Sequence, residues 1–95
     1  MVARAVWSGR VIAESTDVIE VDGYPYFPRD AVRWDLLEPS THRSVCGWKG
    51  EANYFTIRVD GALNPAAAWE YSHPKEAAIM VKDRIGFWRG VAIER

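Results

Sequence analysis

The sequence predicts a mainly β protein: a single compact domain of antiparallel hairpins with one or two short helices. Short runs of β-branched and aromatic residues alternate with two-residue turns that contain glycine. Only two stretches carry signals for the start and the end of a helix. The length of 95 residues fits one domain over residues 1–95, and the hydrophobic share of 48% is sufficient for a core.

Two-residue turns separate the predicted strands from one another. They lie at Ser8-Gly9, Asp22-Gly23, Asp60-Gly61 and, with a weaker signal, Arg89-Gly90. Asp-Gly between β-prone runs is typical of hairpins, because both residues tolerate the positive φ that the tight turn requires. We therefore expect each pair to connect two neighbouring strands.

In the run "NYFTIRV" at 53–59, hydrophobic residues recur at every second position, which is typical of a strand with one face buried in the core. Phe55, Ile57 and Val59 fall on one face, and we expect that face to meet the core. Tyr54 and Arg58 fall on the opposite face, which would line either solvent or a cleft.

Two stretches favour short helices. In "PRDAVRWDLLEPS", Asp30 is a predicted N-cap and Pro39 would stop the helix. In "SHPKEAAIMVKDRIG", Pro74 suits a first turn and the helix would end near Gly86.

Composition and charge narrow the range of partners. The net charge is -1, and the 12 basic residues form no patch of the kind that binds nucleic acid, so we expect no nucleic-acid partner. No stretch has the ~18 apolar residues of a membrane span, and we expect no signal peptide after Met1. A single cysteine excludes an internal disulfide. We expect a soluble cytoplasmic protein that does not bind membranes.

The segment "SVCGWKGEANYF" at 44–55 is the most informative in the chain. Cys46 is a candidate nucleophile or acid, with Lys49 and His42 close enough in sequence to lower its pKa across a tight turn. The alternative is that Cys46 is a small apolar residue at the end of a strand.

Lys49 is flanked by Gly47, Trp48 and Gly50. An ammonium beside an indole would serve as a cation within a pocket or, less often, as a Schiff-base amine. Alternatively, Lys49 is a solvated turn residue whose stem lies on an aromatic ring.

A metal site is not predicted, and neither is a cofactor. Zinc normally takes four ligands at recognisable spacing, whereas this chain offers only Cys46, His42 and His73, with no Cys-x-x-Cys or His-x-x-x-His pattern. Ser40 lies two residues before His42, which is compatible with a hydroxyl–imidazole pair or with a hydrogen bond that orders a loop.

Several segments resemble domain-of-unknown-function family 427, namely "YFP" at 26–28, "AVR" at 31–33, "SVCGWKGEANY" at 44–54, "AAW" at 67–69, and "HPKEAA" leading to "FWRGV". Members are small, mostly bacterial β-proteins, sometimes labelled nucleotidyltransferase-like. The resemblance implies a compact antiparallel fold similar to the β-tent architecture. It supplies no established reaction.

The family pattern also implies which positions matter in this chain. They are Arg33, Ser40, Cys46, Trp48, Lys49, Gly50, Tyr54 and Trp69. Gly47 stands where the usual motif has proline. Nucleotidyl transfer normally uses paired carboxylates to hold a divalent metal, and the sequence has no Asp-x-Asp.

Three hypotheses about function follow. The first is a small-molecule-binding domain in which Trp48, Tyr54, Trp69 and Trp7 form the walls, with Ser40 nearby, and Lys49 and Arg33 meet an anionic or carbonyl group. The second is a cofactor-free enzyme that uses Cys46. The third is an interaction domain, including a possible homodimer, because the five tryptophans exceed the obvious needs of a small core.

Overall fold

The structure is a computed structural model that describes residues 1–95. It contains nine strands: β1 (Ala3–Trp7), β2 (Arg10–Ser15), β3 (Ile19–Val21), β4 (Tyr24–Pro28), β5 (Leu37–Cys46), β6 (Gly50–Val59), β7 (Ala62–Glu70), β8 (Arg84–Phe87) and β9 (Ala92–Glu94). The strands form a three-stranded sheet of order β2-β1-β9 and a six-stranded sheet of order β3-β4-β8-β7-β6-β5. All neighbouring strands are antiparallel. The prediction of a mainly β, antiparallel fold is confirmed.

Three of the four predicted hairpin turns connect paired strands. Ser8-Gly9 joins β1 to β2, Asp22-Gly23 joins β3 to β4, and Asp60-Gly61 joins β6 to β7. Both residues of each turn have positive φ, as a tight hairpin requires. Arg89-Gly90 also has positive φ, but it joins β8 to β9, which belong to different sheets. The prediction of a hairpin there is wrong, because the turn carries the chain from one sheet to the other.

The helical segments are short 3-10 turns at Arg29–Ala31, Trp34–Leu36 and Glu76–Val81. Asp30 is not an N-cap; it lies inside the first turn, which follows Pro28 and has no side-chain cap. The predicted end of a helix near Gly86 is also wrong. The last turn ends at Val81, and residues 84–87 form β8, because a buried strand there pairs with both β4 and β7.

The hydrophobic side chains form two clusters, which we call the apolar core and the aromatic core. The apolar core consists of Ala3, Ala5, Ile12, Ala13, Phe27, Val32, Leu36, Ile57, Val59, Ala67, Ala68, Ile85 and Phe87. The aromatic core consists of Tyr26, Ala52, Tyr54, Ala66, Trp69, Tyr71, Ala78 and Val81. It contains tyrosines and a tryptophan where the apolar core has mostly aliphatic side chains.

Strand β6 contributes to both clusters, as its alternating sequence predicts. Ile57 and Val59 are fully buried in the apolar core, and Phe55 packs against it. Tyr54 points to the other face and belongs to the aromatic core, whereas Arg58 is exposed. One face of β6 therefore packs in the apolar core, and its other face is the one on which the candidate site lies.

Candidate functional site

A pocket of about 160 Å³ opens on the aromatic core. Its lining consists of six aromatic side chains and one lysine: Tyr24, Tyr26, Lys49, Tyr54, Trp69, Tyr71 and Trp88. We call it the aromatic pocket. Such a lining, largely aromatic with few polar groups, is what small-molecule sites commonly have.

The sheet brings the lining residues together through one row of cross-strand neighbours. Tyr26 on β4 is opposite Gly86 on β8, Gly86 is opposite Trp69 on β7, and Trp69 is opposite Tyr54 on β6. Residues directly opposite each other in a sheet project from the same face. The aromatic side chains that are far apart in sequence therefore share one surface.

Gly86 gives Trp69 the room to lie across the sheet. A Cβ atom at Gly86 would lie 2.6 Å from Cε2 and Cζ2 of the Trp69 indole, closer than any real contact allows. Only glycine therefore lets the indole lie against the backbone of β8 in this position.

The rings around Trp69 meet it nearly at right angles. The interplanar angle is 89° for both Tyr24 and Tyr26 and 78° for Trp88, with ring centroids 5.1–6.0 Å from that of Trp69. Edge-to-face contacts of this kind are a favourable arrangement for aromatic rings. We call these four rings, with Trp69 as the floor and the other three as walls, the aromatic box.

Hydrogen bonds hold the hydroxyl groups of two lining residues, Tyr26 and Tyr54, in place. Trp69 Nε1 donates to the Tyr26 hydroxyl at 3.2 Å, and the hydroxyls of Tyr54 and Ser44 are 2.8 Å apart. The Tyr71 hydroxyl has no hydrogen-bond partner, and it is not fully enclosed. It is therefore available as a donor or an acceptor at the pocket.

Lys49 places an ammonium group in the pocket wall. The residue is only 6% exposed, and its Nζ donates to Asp22 Oδ2 at 2.6 Å. Nζ also lies 5.0 Å from the ring centroid of Trp48 and 5.6 Å from that of Tyr71. An ammonium has three N–H donors, so two remain for a ligand or for water.

The ion pair between Lys49 and Asp22 keeps the ammonium charged. Burial is the largest effect and works against the charged form. The hydrogen bond to Asp22 and the charge interactions with Tyr26, Tyr71 and Cys46 together outweigh it and leave the pKa of Lys49 above its ordinary value. The same hydrogen bond lowers the pKa of Asp22. Lys49 is therefore a persistent cation, which favours a role in anion binding over a Schiff-base amine.

Two tyrosines of the pocket, Tyr26 and Tyr71, remain neutral at physiological pH. Burial raises the pKa of Tyr71 to about 12, and it also raises the pKa of Tyr26. These two hydroxyls keep their protons, so neither forms a tyrosinate that would compete for the ammonium.

Cys46 lies beside the pocket and does not line it. Its side chain is half-buried and packs against the aromatic core. Hydrogen bonds from the backbone N–H groups of Trp48 and Lys49 lower the pKa of the thiol. The structure thus places the ammonium of Lys49 in the pocket but leaves the sulfur outside the lining.

His42 lies too far along β5 to activate Cys46. Four residues of an extended strand span about 13 Å, so the expectation that His42 reaches the thiol across a tight turn is wrong. The His42 ring instead packs against Tyr54, with centroids 4.5 Å apart. Ser40 Oγ accepts a hydrogen bond from the His42 backbone N–H at 3.1 Å, which orders the chain locally and forms no hydroxyl–imidazole pair.

Arg33 and Ser40 stand outside the aromatic pocket. The Arg33 guanidinium pairs with Asp35 at 3.2 Å on the surface, and its backbone N–H donates to the carbonyl of Ile12. This places Arg33 beside the apolar core, so the structure does not bring it together with Lys49.

The structure places the three tryptophans predicted as walls in three different positions. Trp69 lines the pocket. Trp48 is 40% exposed and contacts Lys49 from outside the lining. Trp7 packs against the apolar core, so it is not part of the cleft.

Sequence reasoning missed five residues of the site: Tyr24, Tyr26, Tyr71, Trp88 and Asp22, the partner of Lys49. A signal was present for the first two, because "YPY" follows the Asp22-Gly23 turn and alternation places both tyrosines on one face. The pairing of Asp22 with Lys49 joins positions 27 residues apart, and no local pattern indicates it.

The structure has neither a cluster of metal ligands nor a membrane-spanning helix. Nowhere do three or more histidine, cysteine or acidic side chains come together in an arrangement suited to a metal ion. None of the helical segments has the length and apolar character needed to cross a bilayer.

Comparison with known proteins places the chain in a family. The family model described as "Domain of unknown function (DUF427)" matches residues 2–94, which is nearly the whole chain. The chain therefore belongs to the DUF427 family, in agreement with the resemblance of its motifs. A search of curated proteins found no significant match.

Proposed function

We propose that this DUF427 protein binds a small organic molecule in the aromatic pocket and that Lys49 contacts an anionic or carbonyl group of that molecule. The observation that carries the proposal is the buried ammonium: Lys49 is 6% exposed and forms part of a pocket otherwise lined by aromatic rings. Burying a charge is costly, and a simple core position would be occupied by an apolar side chain at no such cost.

The polar groups of the pocket offer mainly donors. Lys49 has two N–H groups not used by Asp22, and the hydroxyl of Tyr71 has no partner. No carboxylate side chain lines the pocket, because Asp22 reaches Lys49 from the adjoining turn. An excess of donors suits a ligand with acceptor oxygens, such as a carboxylate or a carbonyl.

The size of the pocket limits the ligand to a small molecule. Its volume is about 160 Å³, and an engineered protein cavity of about 150 Å³ holds benzene. Drug-sized ligands occupy pockets of roughly 300–1,000 Å³. The ligand we propose is therefore a metabolite about as large as one six-membered ring with a short substituent.

A screen of small carboxylates and carbonyl compounds tests the proposal. Binding to Trp69 and Trp88 should change the tryptophan emission and raise the melting temperature of the wild type. Lys49→Met keeps the length of the side chain but removes the charge, and it should weaken a carboxylate ligand by about tenfold or more. Asp22 is half exposed, so water can solvate its carboxylate once the partner is gone.

Lys82→Met is the matched control, because Lys82 is an exposed lysine without a hydrogen bond or ion pair from its side chain. It should bind the same ligand as the wild type. If no compound changes the emission or the melting temperature, or if both variants bind equally well, the proposal is wrong.

A thiol-based activity is the second candidate function. The lowered pKa of Cys46 and the two backbone N–H groups that face its sulfur favour a reactive thiol. Alkylation of the folded protein by iodoacetamide across pH 6–10 would measure this pKa. A midpoint at ~8.5 or above, or no reaction before unfolding, would leave Cys46 as a packing residue.

The possible homodimer stays a prediction. Apolar side chains are exposed on β5 at Val45, in the following turn at Trp48, and in the last 3-10 turn at Ile79 and Met80. Sedimentation at micromolar concentration tests it, and a clean monomer would rule out a stable dimer under those conditions.

A further inference from the structure

We propose that the ligand of the aromatic pocket is a small zwitterion that carries a methylated quaternary ammonium group and a carboxylate. The methylated group would fill the aromatic box, and the carboxylate would contact Lys49 and Tyr71. The inference rests on the proposed function, since it names the class of ligand for the same site.

The shape of the aromatic box favours a compact group over a flat one. A planar ring is held best between two parallel walls, but Tyr24 and Tyr26 both stand at 89° to Trp69. Trp88 stands at 78° to it. Walls at right angles to a floor surround a tetrahedral group such as trimethylammonium on several sides at once.

The faces of aromatic rings attract cations, and tryptophan attracts them most strongly. Two rings of the pocket already have a cation from the protein. Arg89 lies 4.6 Å from the ring centroid of Trp88, and Lys49 lies 5.6 Å from that of Tyr71. Trp69 has none, although it is the central ring of the box. A cationic group of the ligand would complete this pattern.

The remaining polar groups explain why the ligand should also carry a carboxylate. The ammonium of Lys49 is already paired with Asp22, so the charges of this pair cancel. A ligand with a net positive charge would therefore bring an unbalanced charge into the pocket, which is costly. A zwitterion adds no net charge, and its carboxylate can take up the free N–H groups of Lys49 and the unpartnered hydroxyl of Tyr71.

A comparison of isosteric probes tests the quaternary ammonium. Glycine betaine and 3,3-dimethylbutanoate have the same shape and the same carboxylate, but a carbon replaces the charged nitrogen in the second. Calorimetric titration of the wild type should show glycine betaine binding about tenfold tighter or more. Equal or tighter binding of the carbon isostere would overturn the inference.

Choline tests the carboxylate, because it keeps the trimethylammonium group and has a hydroxyl in place of the acid. The wild type should bind choline about tenfold more weakly than glycine betaine, and Lys49→Met should remove most of that difference. Lys82→Met should keep it. If the wild type bound choline as tightly as glycine betaine, the assignment of the carboxylate to Lys49 would be overturned.

The outcomes also separate this inference from the proposed function. If glycine betaine does not bind but the wider screen finds another ligand that depends on Lys49, the zwitterion is wrong and the proposed function stands. If the screen finds no ligand at all, both are wrong.

Discussion

The apolar core and the aromatic core lie in one small protein, yet they are built from different side chains. The apolar core has alanine, isoleucine, valine, leucine and phenylalanine only, and several of these residues have no exposed surface at all. The aromatic core has three tyrosines and a tryptophan, with a buried lysine beside them. Each polar group in such a place must find a partner or lower the stability.

The difference indicates that the apolar core serves stability, whereas the composition of the aromatic core is not explained by stability alone. Aliphatic residues could have filled the second cluster without the cost of dehydrating Lys49. Glycine at position 86 removes packing from a buried strand, and its place is taken by the indole of Trp69. These features lower the stability that the cluster could provide, and they create a pocket.

Ile57→Ala should have the largest effect, because it creates a cavity in the apolar core. Ile57 has no exposed surface. Replacement of a buried isoleucine by alanine lowers the free energy of unfolding by about 2–5 kcal/mol. Urea unfolding followed by tryptophan fluorescence measures the loss.

The matched comparison is Tyr71→Phe in the aromatic core, which removes one hydroxyl without a hydrogen-bond partner. At neutral pH it should change the free energy of unfolding by less than about 1 kcal/mol. If the two variants were equally destabilised, the contrast between the two cores would be lost.

Gly86→Ala should have an intermediate effect that reaches the pocket. The added Cβ would meet the Trp69 indole at 2.6 Å, so the ring or the strand must shift. Crowding of this kind costs about 1–3 kcal/mol. The displaced floor of the aromatic box should also weaken binding of the proposed ligand and change the tryptophan emission.

Gly47→Ala is the control for Gly86→Ala. Gly47 has a negative φ and no atom within 4 Å of an added Cβ. Its stability should stay within about 0.5 kcal/mol of the wild type. A Gly86→Ala protein that is as stable as Gly47→Ala and keeps its emission spectrum would contradict the close approach of Trp69.

The free energy of unfolding should decline in alkali because of the aromatic core. At physiological pH this effect is smaller than those of Ile57→Ala and Gly86→Ala. The pKa of Tyr71 is about 12 in the folded protein and about 10 in an unfolded chain. Between these values the folded state keeps a proton that the unfolded state releases, so stability falls as the pH rises. The raised pKa values of Lys49 and Tyr26 act in the same direction.

Tyr71→Phe isolates the contribution of one group to this decline. Urea unfolding at several values between pH 9 and 12 should give a shallower loss of stability for the variant than for the wild type. The difference in slope should approach one proton at most. Equal slopes would show that Tyr71 titrates normally in the folded protein.

Local sequence patterns determined most of the strand architecture. Three Asp-Gly or Ser-Gly turns and the alternation along β6 depend on the conformational preferences of neighbouring residues, so they can be read without the fold. The fourth turn, at Arg89-Gly90, shows the limit of this reading. Its backbone conformation was predictable, but the sheet that receives the next strand was not.

The 3-10 turns show the same limit. Asp30 and Pro39 carried the signals of a helix, yet β5 begins at Leu37, and its pairing with β6 leaves room for only short turns before it. Helix signals are weak when a long strand with many tertiary contacts competes for the same residues.

The candidate site divides in a similar way. The sequence alone singled out Lys49 and Tyr54 by local features, a lysine between glycines and an aromatic strand, and it singled out Trp69 by the resemblance to the family. Only the tertiary structure decided that these residues share a pocket with Tyr71 and exclude Arg33.

The reason is physical: a pocket is formed by residues that are neighbours across strands, and cross-strand register is set by packing over the whole sheet. The sequence by itself thus determined the class of fold, most of its turns and three of the residues at the pocket. The burial of Lys49, its pairing with Asp22 and the right-angled arrangement of rings around Trp69 arise only when four strands meet in that register.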